Sequence, residues 1–150
     1  MHEVKMGFRT GILFIFFLAI ASGLSAAAAQ QLYTPQKGSA ERKAILNTLR
    51  PALEARLGKP VEFAVSFMNA SRGWVFLGVS PQRPGGGKIR PADTVFAGQL
   101  EYMDGLNTLA LLRFDYGRWN LIDHAIGPTD AFWQGDPLYQ RIPQEILTLR

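Results

Sequence analysis

The stretch from Leu106 to Ile126, LNTLALLRFDYGRWNLIDHAI, constrains the fold more than any other part of the chain. Two apolar runs flank Asp115-Tyr116-Gly117-Arg118, and Gly117 suits the positive φ of a tight hairpin turn. A two-residue turn at Tyr116-Gly117 sets the register. Asp115 then opposes Arg118, Phe114 opposes Trp119, Leu112 opposes Leu121 and Ala110 opposes Asp123. On the other side Arg113 opposes Asn120, Leu111 opposes Ile122 and Leu109 opposes His124. Opposite charges and matched apolar side chains fall together in this register.

The other segments decide what lies against that hairpin. Ser39 offers a helix N-cap, with Arg42 where a capping box would carry Glu. From Ala44 onward Ile45, Leu46, Leu49, Leu53 and Leu57 recur at helical spacing, and Gly58 and Pro60 terminate the stripe. Pro51 interrupts it. Lacking an N–H and clashing with the preceding turn, Pro51 is expected to kink the helix or split it after Leu49. Val61, Phe63, Val65 and Phe67 then alternate with Glu62, Ala64, Ser66 and Met68, a strand with one buried face. Residues 69–73 read as a turn, and Trp74 to Ser80 (WVFLGVS) as a strand apolar on both faces. Residues 80–93 (SPQRPGGGKIRPAD) read as a long loop. Thr94 to Gly105 fits a helix capped by Asp93 through Phe96, Leu100 and Met103. It fits a strand equally well through Phe96, Gly98, Leu100 and Tyr102, and periodicity does not choose between them. Gly127-Pro128-Thr129-Asp130 closes the sheet, with Thr129 or Asp130 capping a helical turn. The tail, AFWQGDPLYQRIPQEILTLR, is broken by Gly135, Pro137 and Pro143. It still holds Phe132, Trp133, Tyr139, Ile142, Ile146 and Leu147, so it is expected to pack.

This order predicts an α+β fold: an N-terminal helix packed on a curved antiparallel sheet of about four strands, followed by an irregular, partly helical C-terminal tail. The middle strands are apolar on both sides and the helix can cover only one. The aromatic tail, a partner subunit or a ligand must cover the other. The tail is the favoured cover, and a homodimer is allowed.

The amino-terminal end predicts export. Lys5 and Arg9 precede nineteen uncharged residues, Gly11 to Ala29, that end in Ala26-Ala27-Ala28-Ala29. A basic start, an apolar stretch and a small-residue end make a signal peptide, 1–29, with cleavage expected after Ala29. The alternative is an uncleaved anchor, since nineteen residues just span a bilayer. The Ala, Ser and Gly of its last eight residues are poor lipid anchors, and no Cys follows to carry a lipid. Residues 30–38 read as a flexible lead-in and 39–150 as a single domain. The mature chain would carry fourteen basic and eleven acidic residues, too mild and too dispersed an excess for nucleic acid. The chain has no Cys, so disulfides, thiol nucleophiles and thiolate metal sites are excluded. His124 would be the single His after cleavage, which excludes a multi-His metal site within one subunit. No metal and no cofactor are expected.

The runs RKAILNTLRPALEARLGKPVEF, GWVFLGVSPQRPGG and LALLRFDYGRWNLIDHAIGPTDAFW resemble a group of small exported bacterial proteins of unassigned function. GRWNLIDHAIGPTDAFW is the most specific piece, and the resemblance covers Arg42 to Tyr139. It implies a Gram-negative periplasmic setting. The element order is also similar to the cystatin-like or nuclear-transport-factor-like cone, a likeness of fold that carries no function by itself.

Asp123 is the candidate catalytic carboxylate. In the expected register it shares a face with Phe114, Trp119, Leu112 and Leu121, and an apolar pocket would raise its pKa into the working range of an acid or base. The plainer reading is a solvated or capping residue at the sheet end. His124 points to the opposite face of a regular strand, so the neighbouring Asp and His form no dyad. Serines are present, but without the G-x-S-x-G elbow of a hydrolase. PGGGK lacks the spacing of a phosphate loop. Arg83, Lys88 and Arg90 meet no acid until Asp93 and read as a basic arm for an anionic envelope component: phospholipid headgroups, lipopolysaccharide phosphates or cell-wall carboxylates. The plainer reading is a solvated loop. Trp119, with Trp74 and Trp133, could line a pocket, although tryptophans in small domains are more often core. The favoured function is a non-enzymatic exported binding module for an envelope protein or such an anionic component. It would have no nucleic-acid partner and no stable membrane anchor after cleavage. The alternative is a cone-type small-ligand carrier or enzyme using Asp123.

Overall fold

The computed structural model describes residues 31–149, and the expected signal peptide lies outside the described residues. Helix α1 (Ala40–Leu57) is followed by β1 (Glu62–Ser71), β2 (Trp74–Gln82), β3 (Thr108–Asp115) and β4 (Arg118–Ile126). Each strand pairs antiparallel with the next, giving one sheet in the order β1-β2-β3-β4. The helix packs on this sheet and the C-terminal region forms short 3₁₀ turns, an α+β arrangement.

The Ser39 hydroxyl caps α1 by accepting the Arg42 N–H at 3.2 Å. Gly58, at φ 79°, closes the other end by donating its N–H to the Glu54 carbonyl. Ile45, Leu49, Leu53 and Leu57 are fully buried four residues apart, which puts them on one face. The helix does not split at Pro51. Pro51 and Asn47 are both exposed, so the carbonyl that the missing N–H would have met lies on the wet side and water can satisfy it.

Both hairpins turn in two residues with positive φ: Arg72 (48°) with Gly73 (75°), and Tyr116 (50°) with Gly117 (73°). This geometry matches the twist of paired strands. The expected turn at 69–73 therefore shrinks to Arg72-Gly73, and β1 continues through Ser71. The expected loop at 80–93 also starts late. Pairing of β2 with β3 stops at Val79–Thr108, so β2 runs on through Pro81 as an edge, where a missing N–H is tolerated. Thr94 to Gly105 is neither helix nor strand. It holds a 3₁₀ turn at Leu100–Tyr102, and Ile89, Phe96 and Leu106 pin the connection into the helix-side core.

Two bulges decide which side chains face which layer. In β1 the register shifts between Val65 and Phe67, and in the β3–β4 pair between Leu111 and Leu112. The hairpin register expected from the sequence holds from Asp115–Arg118 to Leu112–Leu121 and fails beyond. Ile122 is the extra residue, so Leu111 opposes Asp123, Ala110 opposes His124 and Leu109 opposes Ala125. A one-residue slip exchanges the faces of all that follows.

Two cores result. The helix stripe packs on Met68, Ala70, Val75, Leu77, Val79, Ala110 and Leu112. On the opposite face Phe76 and Leu111 pack under Trp133, Tyr139, Ile142 and Ile146 of the tail. The tail is also tied by polar contacts to β1. The Asn69 amide donates to the Ile146 and Thr148 carbonyls, and the Ser71 hydroxyl donates to Glu145 Oε1 at 2.7 Å. Arg72 pairs with the same carboxylate at 2.9 Å. The segment read as a flexible lead-in is likewise tied where described. Tyr33 exchanges both backbone hydrogen bonds with Ala70, at 2.9 and 2.8 Å, and Arg42 donates to the Pro35 carbonyl.

Gly78 lies beneath the Phe67 ring, and a Cβ built there would run into ring carbons. Gly78→Ala should cost about 1–3 kcal/mol in denaturant unfolding, because the Phe67 ring must shift from its packing on Phe76 to admit the Cβ. Gly98, with open space around it, should tolerate Ala. The pH profile gives a second check. Its own backbone N–H, the Ser71 hydroxyl and the Arg72 guanidinium hold the Glu145 carboxyl below its usual range. A carboxyl depressed by folding stabilises the fold above its unfolded value, about 4.3, and that contribution disappears as pH falls through the folded value. Glu145→Gln should therefore melt below the wild type at neutral pH, with the gap closing on acidification. A gap independent of pH would contradict this assignment.

Candidate binding groove

The residues singled out by sequence fall in different places. Arg83 is committed to the chain itself. Its guanidinium donates to the carbonyls of Leu57 (2.8 Å), Gly58 (2.6 Å) and Pro60 (2.9 Å), where α1 ends and the chain turns into β1. Carbonyls at a helix C-terminus have no intrahelical donor, and a guanidinium fork there supplies several at once. Arg90 is paired with Asp93 through two hydrogen bonds of 2.7 and 3.0 Å. Lys88 is exposed between them. Two of the three cations are thus engaged locally, and among the described residues Lys88 is not.

Asp123 is carried by the β4 bulge to the tail face, away from Leu112, Leu121 and Trp119. One carboxylate oxygen accepts the Tyr139 hydroxyl at 2.9 Å and the other accepts the His124 N–H at 2.8 Å. Tyr139 is 1% exposed, and burial first, then Asp123, push its phenol far above the ordinary value. Asp123 therefore anchors the tail onto the edge strand. His124 lies across from Ala110 on the helix face, opposite to the face expected for it. Trp133 stands edge-on to Phe76 at 5.4 Å within the tail core. Among the described residues, no buried side-chain nitrogen or oxygen lacks a hydrogen-bond partner, and no three His, Cys, Asp or Glu gather to hold a metal.

Trp119 does line a recess. A groove of about 750 Å³ opens between the first half of α1 and the tip of the β3–β4 hairpin. Ala40, Ala44 and Thr48 form its helix wall. They stand four residues apart, so three short side chains share one strip and leave the helix surface low there. Phe114 and Trp119 form the hairpin wall. They are cross-strand partners with rings edge-to-face at 5.3 Å, and Phe114 is 44% exposed. Tyr33 closes one end, held by a 2.6 Å hydrogen bond from its hydroxyl to Glu41. Burial, then that carboxylate, raise its phenol pKa to about 12, so it stays a protonated donor at neutral pH. Arg118 brings a positive charge to the opposite lip. The recess is chemically suited to hold an apolar or aromatic group with a polar rim.

Of this groove, sequence reasoning identified Trp119 alone. The Ala40-Ala44-Thr48 spacing was available as a signal of a low helix face. Tyr33 and Glu41 were not, because the Tyr33–Ala70 bridge that places Tyr33 is a long-range contact. A contrast between two cations tests the placements. Arg83→Ala should lower stability by about 1–3 kcal/mol in denaturant unfolding, from lost charge-assisted hydrogen bonds, whereas Lys88→Ala should change it little. Compared with protein-family models, curated proteins and solved structures, the chain matches none.

Proposed function

We propose that this chain is an exported, non-enzymatic binding module, and that it takes an apolar segment of an envelope protein into the groove between α1 and the β3–β4 hairpin. The observation that carries the reading is the aromatic pair of exposed Phe114 and half-buried Trp119, which lines one groove with a helix strip of small residues. Aromatic anchors in a recess with a polar rim are the usual energetic centre of a protein interface. Tyr116, 93% exposed at the hairpin tip beside this groove, extends the aromatic surface beyond it.

Export rests on the basic, apolar and small-residue order of residues 1–29, and the periplasmic address on the resemblance to small exported bacterial proteins. Kinship with the small exported bacterial proteins rests on the GRWNLIDHAIGPTDAFW run. The cystatin-like likeness rests on the order of one helix followed by a four-strand meander. Against the enzyme alternative stand the engaged carboxylate of Asp123 and the buried hydroxyl it accepts.

Site-specific photocrosslinking in cells tests the reading. A photoreactive side chain at Tyr116 should trap a discrete envelope-protein adduct, and the same group at Lys88 should not. Ala44→Trp, which fills the groove from an exposed helix position, should abolish the adduct. An adduct that survives Ala44→Trp, or none at Tyr116, would remove the groove from consideration. A self-adduct matched by a dimer in light scattering would make the partner a second copy.

A further inference from the structure

On the opposite face of the same sheet end, a second recess of about 450 Å³ lies between the β2–β3 pair and the tail. Arg72, Arg113 and Arg141 line it with Trp74 and, among the described residues, the single carboxylate of Glu145. These cations come from the β1–β2 turn, from β3 and from the 3₁₀ turn Tyr139–Arg141, so they are distant in sequence.

Each guanidinium is in a different condition. Arg72 neutralises Glu145, donating to its two oxygens at 2.9 and 3.2 Å. Arg113 lies over the Trp74 ring, 4.8 Å from its centroid, and donates weakly to the Arg72 carbonyl at 3.4 Å. Stacking on an indole fixes the plane of a guanidinium while leaving its edge donors unused. Arg141 is exposed and has neither a hydrogen bond from its side chain nor an ion pair among the described residues. Three guanidiniums against one carboxylate leave the recess with two positive charges to balance.

We infer that this cleft binds a phosphate monoester, with Arg113 and Arg141 as the ligating guanidiniums and Arg72 holding Glu145 aside. A phosphate monoester carries about −1.5 to −2 charge at neutral pH and three acceptor oxygens, which matches that excess and the forked geometry of arginine. A lone carboxylate would balance half of it. The monoester could belong to a lipid headgroup or to a soluble phosphorylated molecule, and the chemistry of the cleft is common to both.

The full mature chain, titrated with inorganic phosphate at constant ionic strength, gives the test. The Trp74 indole resonance should shift saturably in NMR spectra, and an equivalent chloride titration should not reproduce the shift. Arg141→Gln alters an exposed side chain that holds nothing in the fold, and should weaken binding about tenfold. Arg113→Gln should do the same, with unchanged dispersion elsewhere in the spectrum reporting an intact fold. Flotation with phosphatidylcholine vesicles, with and without phosphatidic acid, separates the sources. Flotation that needs phosphatidic acid and is lost in Arg141→Gln assigns a lipid headgroup. Saturable phosphate binding without flotation assigns a soluble monoester. A phosphate response that does not saturate, or one unaltered in Arg141→Gln, would overturn the inference.

Discussion

Phe76 and Leu111 are completely buried on the sheet face turned away from the helix, and they are dry because residues 131–147 lie over them. An apolar side chain of this size contributes about 1.5–3 kcal/mol when fully buried, so a sheet built from such strands cannot leave either face open. The rest of the structure follows from that requirement. The tail lacks the uninterrupted length for a helix, with Pro137 and Pro143 within it, and it covers the sheet as short 3₁₀ turns. Such turns leave backbone groups without regular partners. The side chains of Asn69 and Gln144 meet several of the resulting carbonyls, those of Tyr139, Ile142, Ile146 and Thr148.

The same requirement explains the partners of the Asp123 carboxylate. An aromatic tail over the sheet brings the Tyr139 hydroxyl into a nearly dry place, where it must find an acceptor. Asp123 supplies it from the edge strand. Its second oxygen accepts the His124 N–H, so β4 meets the tail with a bulge and an engaged carboxylate. Bulges and charges are also the features by which edge strands avoid pairing with other chains. The aromatic groove and the basic cleft lie at the opposite end of the sheet, near the two hairpin turns. One is aromatic on the helix face and the other is basic on the tail face. Trp74 and Arg113 face one way, and their neighbours Gly73 and Phe114 line the other recess. Strand alternation alone therefore gives one sheet end two surfaces of different chemistry.

Much of this was legible in local sequence because local forces decide it. The helix and its Ser39 cap, the Tyr116-Gly117 turn, the first part of the hairpin register and the need for a second cover all depend on residues within a few positions of one another. The helix was not split at Pro51 because a proline's cost depends on whether its orphaned carbonyl meets water, and that depends on which helix face is buried. The engagement of Arg83 was not legible because nothing local says that it will find three carbonyls 23 to 26 residues earlier.

From the amino acids alone came the α+β order of elements, the two-faced sheet, the exclusion of thiol chemistry, and an expected signal peptide at the start. Only the tertiary structure decided which face each residue beyond Val65 in β1 and beyond Leu121 in β4 would take. A bulge is a single extra residue whose position is set by packing against both neighbouring layers, and no period-two pattern records it. Through that one residue, Ile122, Asp123 moved from an imagined pocket beside Trp119 to the hydroxyl of Tyr139. The aromatic groove and the basic cleft are assembled from residues far apart in the chain, Tyr33 with Trp119 in the first and Arg72 with Arg141 in the second.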